Sequence, residues 1–190
     1  EYENSYPEVL FHTVLRRKPF TVAKYYSSDL SRKLQEFVQE NSFDMIHFEM
    51  LHGGQYLDDL PEEISSLLSL QNIDSVVWRR LADYSKSRIQ KILYRQQSRA
   101  FRRYEKNTCQ KFNTVACVSE IDANILSKIC PQANIALIPN GVDIELYRPR
   151  YEQEKENALV FTGSMDWLPN EDAALYFSQN VFPLIKQNVK

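Results

Sequence analysis

Asp44-Met45-Ile46-His47-Phe48-Glu49-Met50-Leu51-His52-Gly53-Gly54 holds the densest set of chemistry-bearing side chains in this chain: two imidazoles, two carboxylates and a glycine pair. An imidazole changes charge near neutral pH and a carboxylate accepts hydrogen bonds, so His47, Glu49 and His52 could transfer a proton or hold a polar ligand. Gly53 and Gly54 would let backbone approach that ligand closely. A buried, hydrogen-bonded histidine and a plain loop account for the same letters. Further along, Ser119 and Glu120 directly follow the apolar run Thr114–Val118, and Asp122 completes the spacing of a helix cap. The free N–H groups of such a helix start attract anions. Asn140 and Gly141, with Asp143 behind them, close a second run, Ile135–Ile138, and their tolerance of positive φ predicts a sharp turn. Capping and turn chemistry alone also explain these residues.

Absent motifs narrow the chemistry. The only glycines are Gly53, Gly54, Gly141 and Gly163, and they form neither a G-x-G-x-x-G nor a G-x4-G-K-[ST] arrangement, which argues against a dinucleotide-dependent dehydrogenase or a P-loop NTPase. Three cysteines, Cys109, Cys117 and Cys130, are odd in number and lack C-x2-C spacing, so reduced, buried thiols in a cytoplasmic protein are expected and no metal site is. Hydrophobic content of 43% with 25% charged residues suits a soluble globular protein. No run approaches the roughly 20 apolar residues that span a bilayer. The formal charge of −2 conceals a basic segment: Arg79–Lys111 carries eleven Lys or Arg against Asp83 and Glu105, a net of +9. Such a face could lie on anionic lipid headgroups or simply be solvated. No nucleic-acid motif accompanies it, so nucleic acid is not an expected partner.

The elements that must position these residues follow from periodicity. Ser27-Ser28-Asp29 predicts a cap for a helix with Leu30, Leu34, Phe37 and Val38 on one stripe, ending near Asn41. Phe43–Phe48 reads as a buried strand whose carboxyl end opens into the loop Glu49–Gly54, where parallel sheets present ligand-facing groups. Leu57–Leu70 is ambiguous, with Pro61-Glu62-Glu63 suggesting a helix start, and Asp74–Trp78 reads as a short strand. From Arg79 or Leu81 to about Phe112 the pattern is one long helix or two abutting ones, with Ile89, Leu93, Ala100, Tyr104 and Thr108 on one face. Thr114–Val118 is a strand, Ile121, Ile125, Leu126 and Ile129 make a helical face stopped by Pro131, and Ile135–Ile138 is the next strand. Tyr151–Asn157 reads as a linker, Ala158–Thr162 as a strand ended by Gly163, and Asn170-Glu171-Asp172 as the start of a helix that Pro183 kinks or divides. The alternation of strand and helix predicts an α/β fold with a parallel sheet.

Three stretches, VSEIDANIL, IPNGVDIELYRP and LVFTGSMDWLPNEDAALYFSQNVFPLIK, together with DMIHFEMLHGG, resemble glycosyltransferases of family 4, or group 1, which have two Rossmann-like domains in a GT-B fold. The ordered series covers about three quarters of the chain. In such enzymes a D-[VIL]-[IVL]-H-x-H strand brings its second histidine to the cleft near the transferred sugar. His47 stands at the first of those positions and Glu49 at the second, so Glu49 would take hydrogen bonds from sugar hydroxyls, with His52, Gly53 and Gly54 lining the cleft. Gln71-Asn72-Ile73-Asp74 resembles an H-[ND]-[IV]-E token followed by basic residues, which marks Asn72, Asp74 and Arg79. The resemblance places Ser119 and Glu120 beside a donor phosphate and Asn140, Gly141 and Asp143 where the chain crosses between domains. Gly163 and Ser164 resemble a G-x-[ML]-x-[WY]-x-P-N subgroup in which the usual Arg and Lys of the donor loop are missing, leaving backbone amides to meet the diphosphate.

On this resemblance, residues 1–149 are the later half of the N-terminal, acceptor-side Rossmann-like domain, and 150–190 are a linker and the start of the C-terminal, donor-binding domain. A fragment of a longer protein is expected, because Glu1 is not an initiating Met and Lys190 falls where another strand would follow. The implied activity is retaining, metal-independent transfer from a nucleotide sugar to a hydroxyl of a saccharide or lipid-linked acceptor, without a cofactor, in polysaccharide or glycolipid synthesis. It would occur in the cytoplasm or at the inner face of the membrane. The rival expectation is a non-catalytic α/β module that docks through its basic helix. An E-x7-E donor-site pair, expected beyond Lys190, would separate the two.

Overall fold

The computed structural model describes residues 18–148, 158–166 and 168–189, and the chain divides into two compact units, Glu1–Gly141 and Val142–Lys190. In the first unit, Pro19 opens a short helix, α1 (Phe20–Lys24). Ser27 then caps α2 (Ser28–Glu40), its Oγ accepting from the Leu30 N–H at 3.2 Å. Strand β1 (Met45–Glu49) runs into α3 (Met50–Gly53) and a 3-10 segment, Gly54–Asp59. Then come β2 (Ser65–Leu70), α4 (Asp74–Tyr84), α5 (Arg88–Cys109), β3 (Thr114–Cys117), α6 (Glu120–Ile129) and β4 (Ile135–Leu137).

The strands form one parallel sheet in the order β1-β2-β3-β4. The chain is thus α/β with a parallel sheet, consistent with a Rossmann-like class. Register aligns Phe48 with Leu68 and Leu68 with Val115, and these residues are buried together with Leu70 and Cys117. Phe101, Cys109 and Phe112 from the α5 side, and Leu126 and Ile129 from α6, complete that core. His47, Glu49, Leu67, Ser69 and Thr114, on the opposite face by the two-residue period, are exposed or only half-buried. Among the described residues, only one face of the sheet is thoroughly covered.

Several expectations change. Leu57–Leu70 contains no helix started by Pro61; it holds the 3-10 turn and then β2, whose buried residues are Ser66, Leu68 and Leu70. Asp74–Trp78 is the first part of α4 rather than a strand, because β-favouring Val76 and Val77 are overridden by a helix whose N-terminus is capped from another element. The basic segment is two helices, as one alternative held, but the inward face of α5 is Phe101, Glu105, Thr108 and Cys109, while Ile89 and Leu93 are exposed. In α6, Leu126 and Ile129 are buried and Ile121 is exposed.

In the second unit, residues 158–162 form no strand: Leu159, Val160 and Phe161 are exposed, with no neighbouring strand among the described residues to pair with. The helix begins at Leu168 (α7, Leu168–Tyr176), passes through a π-helical turn, Phe177–Val181, and continues as α8 (Phe182–Asn188). Pro183 lacks an N–H, and the wider turn before it accommodates that break without ending the helix. The linker expected over Tyr151–Asn157 lies outside the described residues.

The α4 cap places a carboxylate in the core. Ile73 stands at the N-cap position and has no side chain to satisfy the first N–H groups. Glu105 does this from α5, accepting the Ser75 N–H at 2.8 Å, and Ser98 Oγ donates to the Ser75 carbonyl at 2.7 Å. Trp78 packs across the same junction, stacked on Phe101 at 6.1 Å and edge-on to Tyr94 at 5.5 Å. Glu105 is 1% exposed and its Oε2 has no partner. Burial pushes its carboxyl up to about 7 and that of neighbouring Asp74 up to about 6. Both values exceed those of the unfolded chain, so the folded state holds extra protons between about pH 4 and 7 and stability falls as pH rises through that window. The wild-type denaturation midpoint should therefore be higher near pH 5 than near pH 8. Glu105→Gln, which keeps the acceptor but not the charge, should remove on the order of 2–3 kcal/mol of that dependence. An equal slope in wild type and variant would show that Glu105 is not its source.

Candidate functional site

A parallel sheet turns all its strand carboxyl ends to one edge, where free backbone and loop side chains gather. On β1, His47 and Glu49 share the open face, with His47 Nε2 3.4 Å from Glu49 Oε2. Glu49 Oε1 accepts from Gln71 Nε2 at 2.9 Å, just past the end of β2. Gln71 Oε1 in turn accepts from Asn140 Nδ2 at 3.3 Å, in the loop after β4. The two bonds fix the Gln71 amide in one orientation, since each end meets the only type of group it can bind. The result is a continuous polar row, His47–Glu49–Gln71–Asn140, laid across the carboxyl edge. Beside it is a shallow cavity of about 260 Å³ whose floor is Leu67, Ser69, Ala116 and Val118 and whose wall is Pro139 and Gly141. Carboxylate and amides above an apolar floor form a surface suited to hydroxyl-rich molecules, which present both donors and acceptors.

Of the residues singled out from sequence, His47, Glu49, Asn140 and Gly141 come together here. Gln71, which stands where the resembling token has His, is the link between strands. The missed signal was β2: once Ser66, Leu68 and Leu70 are seen as one face, Gln71 falls at a strand's carboxyl tip as Glu49 does. His52 turns the other way, edge-on to Tyr25 at 5.5 Å and to Phe101 at 6.4 Å, and burial lowers its pKa. A Cβ on Gly53 would make ordinary contact with Phe48 at 3.7 Å. On Gly54 it would sit 3.0 Å from Thr108 Cγ2, so that glycine serves the approach of α5 rather than of a ligand. Asn72 is exposed, Asp74 lies in the first turn of α4 beside Glu105, and Arg79 is exposed on α4.

Ser119 is the cap of α6, accepting from the Asp122 N–H at 3.1 Å and donating to Asp122 Oδ2 at 2.7 Å, and Glu120 occupies the first turn. Neither Asn140 nor Gly141 adopts the positive φ expected of the turn. Among the described residues the left-handed one is Met50, at φ 64°, immediately after Glu49. In the second unit, Asp143 Oδ1 accepts from the Glu145 and Leu146 N–H groups at 2.9 and 3.1 Å. Asn170 Nδ2 donates to the Ser164 carbonyl at 3.0 Å and occupies the space a Cβ on Gly163 would need.

Among the described residues no group of three or more His, Cys, Asp or Glu is placed to hold a metal ion. Cys109, Cys117 and Cys130 are buried and form no disulfide, and burial pushes the Cys117 thiol up to about 11, away from nucleophilic use.

No family model, no curated protein and no solved structure matches the chain.

Met50 carries strained backbone at the tip of β1. Left-handed backbone costs a side-chain-bearing residue roughly 1–2 kcal/mol, and more when the Cβ is branched. Met50→Ile should lower the unfolding free energy by about 1–2 kcal/mol, whereas Met50→Gly should not lower it although a partly exposed side chain is lost. Equal losses in the two variants, read by chemical denaturation, would assign the effect to the side chain instead.

Proposed function

We propose that the chain is part of a retaining, metal-independent glycosyltransferase that uses a nucleotide sugar, with the GT-B arrangement implied by its sequence resemblance, and that the row at the carboxyl edge receives the hydroxyls of a saccharide or lipid-linked acceptor. The observation that carries this reading is the hydrogen-bonded row itself. Glu49 and Gln71 offer a carboxylate and an amide that are already held in place, so little ordering is needed when hydroxyls arrive. In this reading donor contacts come mainly from residues other than the row, and the departing diphosphate is stabilised by helix ends and backbone amides. His47, beside Glu49, is then the imidazole nearest the acceptor.

A second reading has its own support. Arg88, Lys91, Arg95, Arg99, Arg102 and Lys106 recur at helical spacing along α5, and Ile89 and Ile92, 72% and 59% exposed, stand among the first of them. Cations with interleaved aliphatic side chains suit the headgroup region of an anionic leaflet. No helix among the described residues is long and apolar enough to cross a membrane, so attachment through α5 would be peripheral. The two readings are compatible if the acceptor is lipid-linked, and the second alone describes a non-catalytic module.

Calorimetry of the chain against a panel of saccharides should find a binder that Glu49→Gln and Gln71→Ala each weaken about tenfold, with Asn72→Ala unchanged. Saccharide binding indifferent to both substitutions would leave the transferase reading without its site. For the surface, vesicles containing phosphatidylglycerol should bind the chain, and the combined Arg95→Gln, Arg99→Gln and Arg102→Gln variant should lose about 3 kcal/mol, roughly hundredfold. Binding that survives both this variant and high salt would exclude α5 as the docking face.

A further inference from the structure

The carboxyl-terminal half of α5 has a flank that neither reading uses. Arg103, Asn107 and Lys111 recur every four residues beside Tyr104 and Thr108, and together with Lys18, Gly54, Gln55 and Asp58 they enclose a cleft of about 380 Å³. The cleft shares no lining residue with the cavity at the carboxyl edge of the sheet. Its charges do not cancel. Lys111 Nζ is bound by both oxygens of Asp58, at 2.7 and 2.6 Å, while Arg103 makes no ion pair among the described residues. With Lys111 held by Asp58, the Arg103 guanidinium is a positive charge left over in the cleft.

The floor is polar and incompletely satisfied. Gln55 is 8% exposed, and Lys18 Nζ donates to its Oε1 at 3.3 Å, which orients the amide and leaves the buried Nε2 without a partner. The Tyr104 hydroxyl, near Thr108, is likewise buried without a well-formed hydrogen bond. Buried donors without partners cost about 1–3 kcal/mol each, so a ligand that accepts from them recovers that cost. A phosphate monoester carries close to two negative charges at neutral pH and several strong acceptor oxygens.

We propose that this cleft binds the phosphate group of a small phosphate monoester, with Arg103 facing the dianion and Gln55, Tyr104 and Asn107 donating to its oxygens or to the body it carries. The site does not depend on sugar transfer, and no nucleotide sugar enters its test.

Calorimetry of the chain with ribose 5-phosphate, ribose, inorganic phosphate and soluble dihexanoyl phosphatidic acid tests it. At least one phosphomonoester should bind, inorganic phosphate should compete, and ribose should give no heat. Arg103→Gln should weaken binding about tenfold or more, and Arg80→Gln, on α4 and outside the cleft, should leave it unchanged. Arg103 is exposed, so its variant should keep the wild-type circular dichroism and melting point; Gln55→Leu, at a buried position, serves as the supporting variant. Binding of ribose 5-phosphate would assign the phosphate to a soluble metabolite, and binding of the phosphatidic acid alone would assign it to a lipid headgroup. Absence of binding by either monoester, or equal weakening by the two arginine variants, would overturn the proposal.

Discussion

Each of the three crossovers in this sheet advances in the same direction, from β1 to β2 to β3 to β4. Parallel crossovers are right-handed, so strands laid down in one direction receive their connecting helices on one face only. This constraint decides which residues can be functional. The period of two sends Phe48 into the helical layer and His47 and Glu49 to the open side, and the pairing of Phe48 with Leu68 carries that choice across to β2. A slip of one residue would expose the phenyl ring and bury the imidazole and carboxylate. The polar row is thus a consequence of the same register that builds the core.

The long helix α5 carries three roles on three flanks. Its inward flank closes the core and supplies Glu105 to the start of α4; its outward flank holds the basic stripe; and its last two turns form a wall of the cationic cleft. The inward flank explains why a carboxylate is tolerated at 1% exposure. Glu105 replaces a cap that Ile73 cannot provide, and it fixes the α4–α5 junction on which Trp78 packs. Raised carboxyl pKa values often mark functional sites, but here desolvation is the leading cause and the group already caps a helix, so the perturbation records a structural cost.

Apolar runs made β1, β3 and β4 legible, as did the Ser27 and Ser119 caps, because each signal is local. β2 was hidden: serines occupy buried and half-buried positions alike, and adjacent Leu67 and Leu68 blur the alternation. Asp74–Trp78 misled in the opposite sense, since its valines favour strand while the decisive cap lies thirty residues away. Along α5, Tyr104 and Thr108 of the expected face do meet the core while Ile89 and Leu93 do not, and no hydrophobic pattern places a glutamate inward. Of the site, His47, Glu49 and Asn140 were found from residue type at strand ends. Gln71 was not, since its importance arises only from strands that are neighbours in space.

At Gly54 the packing supplies a reason for bare backbone other than a ligand. The residue follows a strand tip, where a bare backbone suggests close approach of a ligand. The atoms that approach are instead Thr108 Cγ2 and the Phe112 ring, within 3.0 to 3.4 Å of where its Cβ would be. That closeness seats the 3-10 segment against α5, and the same two elements supply Gln55 and Asp58 on one side of the cationic cleft and Arg103, Asn107 and Lys111 on the other. The width of that cleft is therefore set by a missing side chain: any larger residue at position 54 must push the segment away from α5 or displace Thr108 and Phe112 into the core.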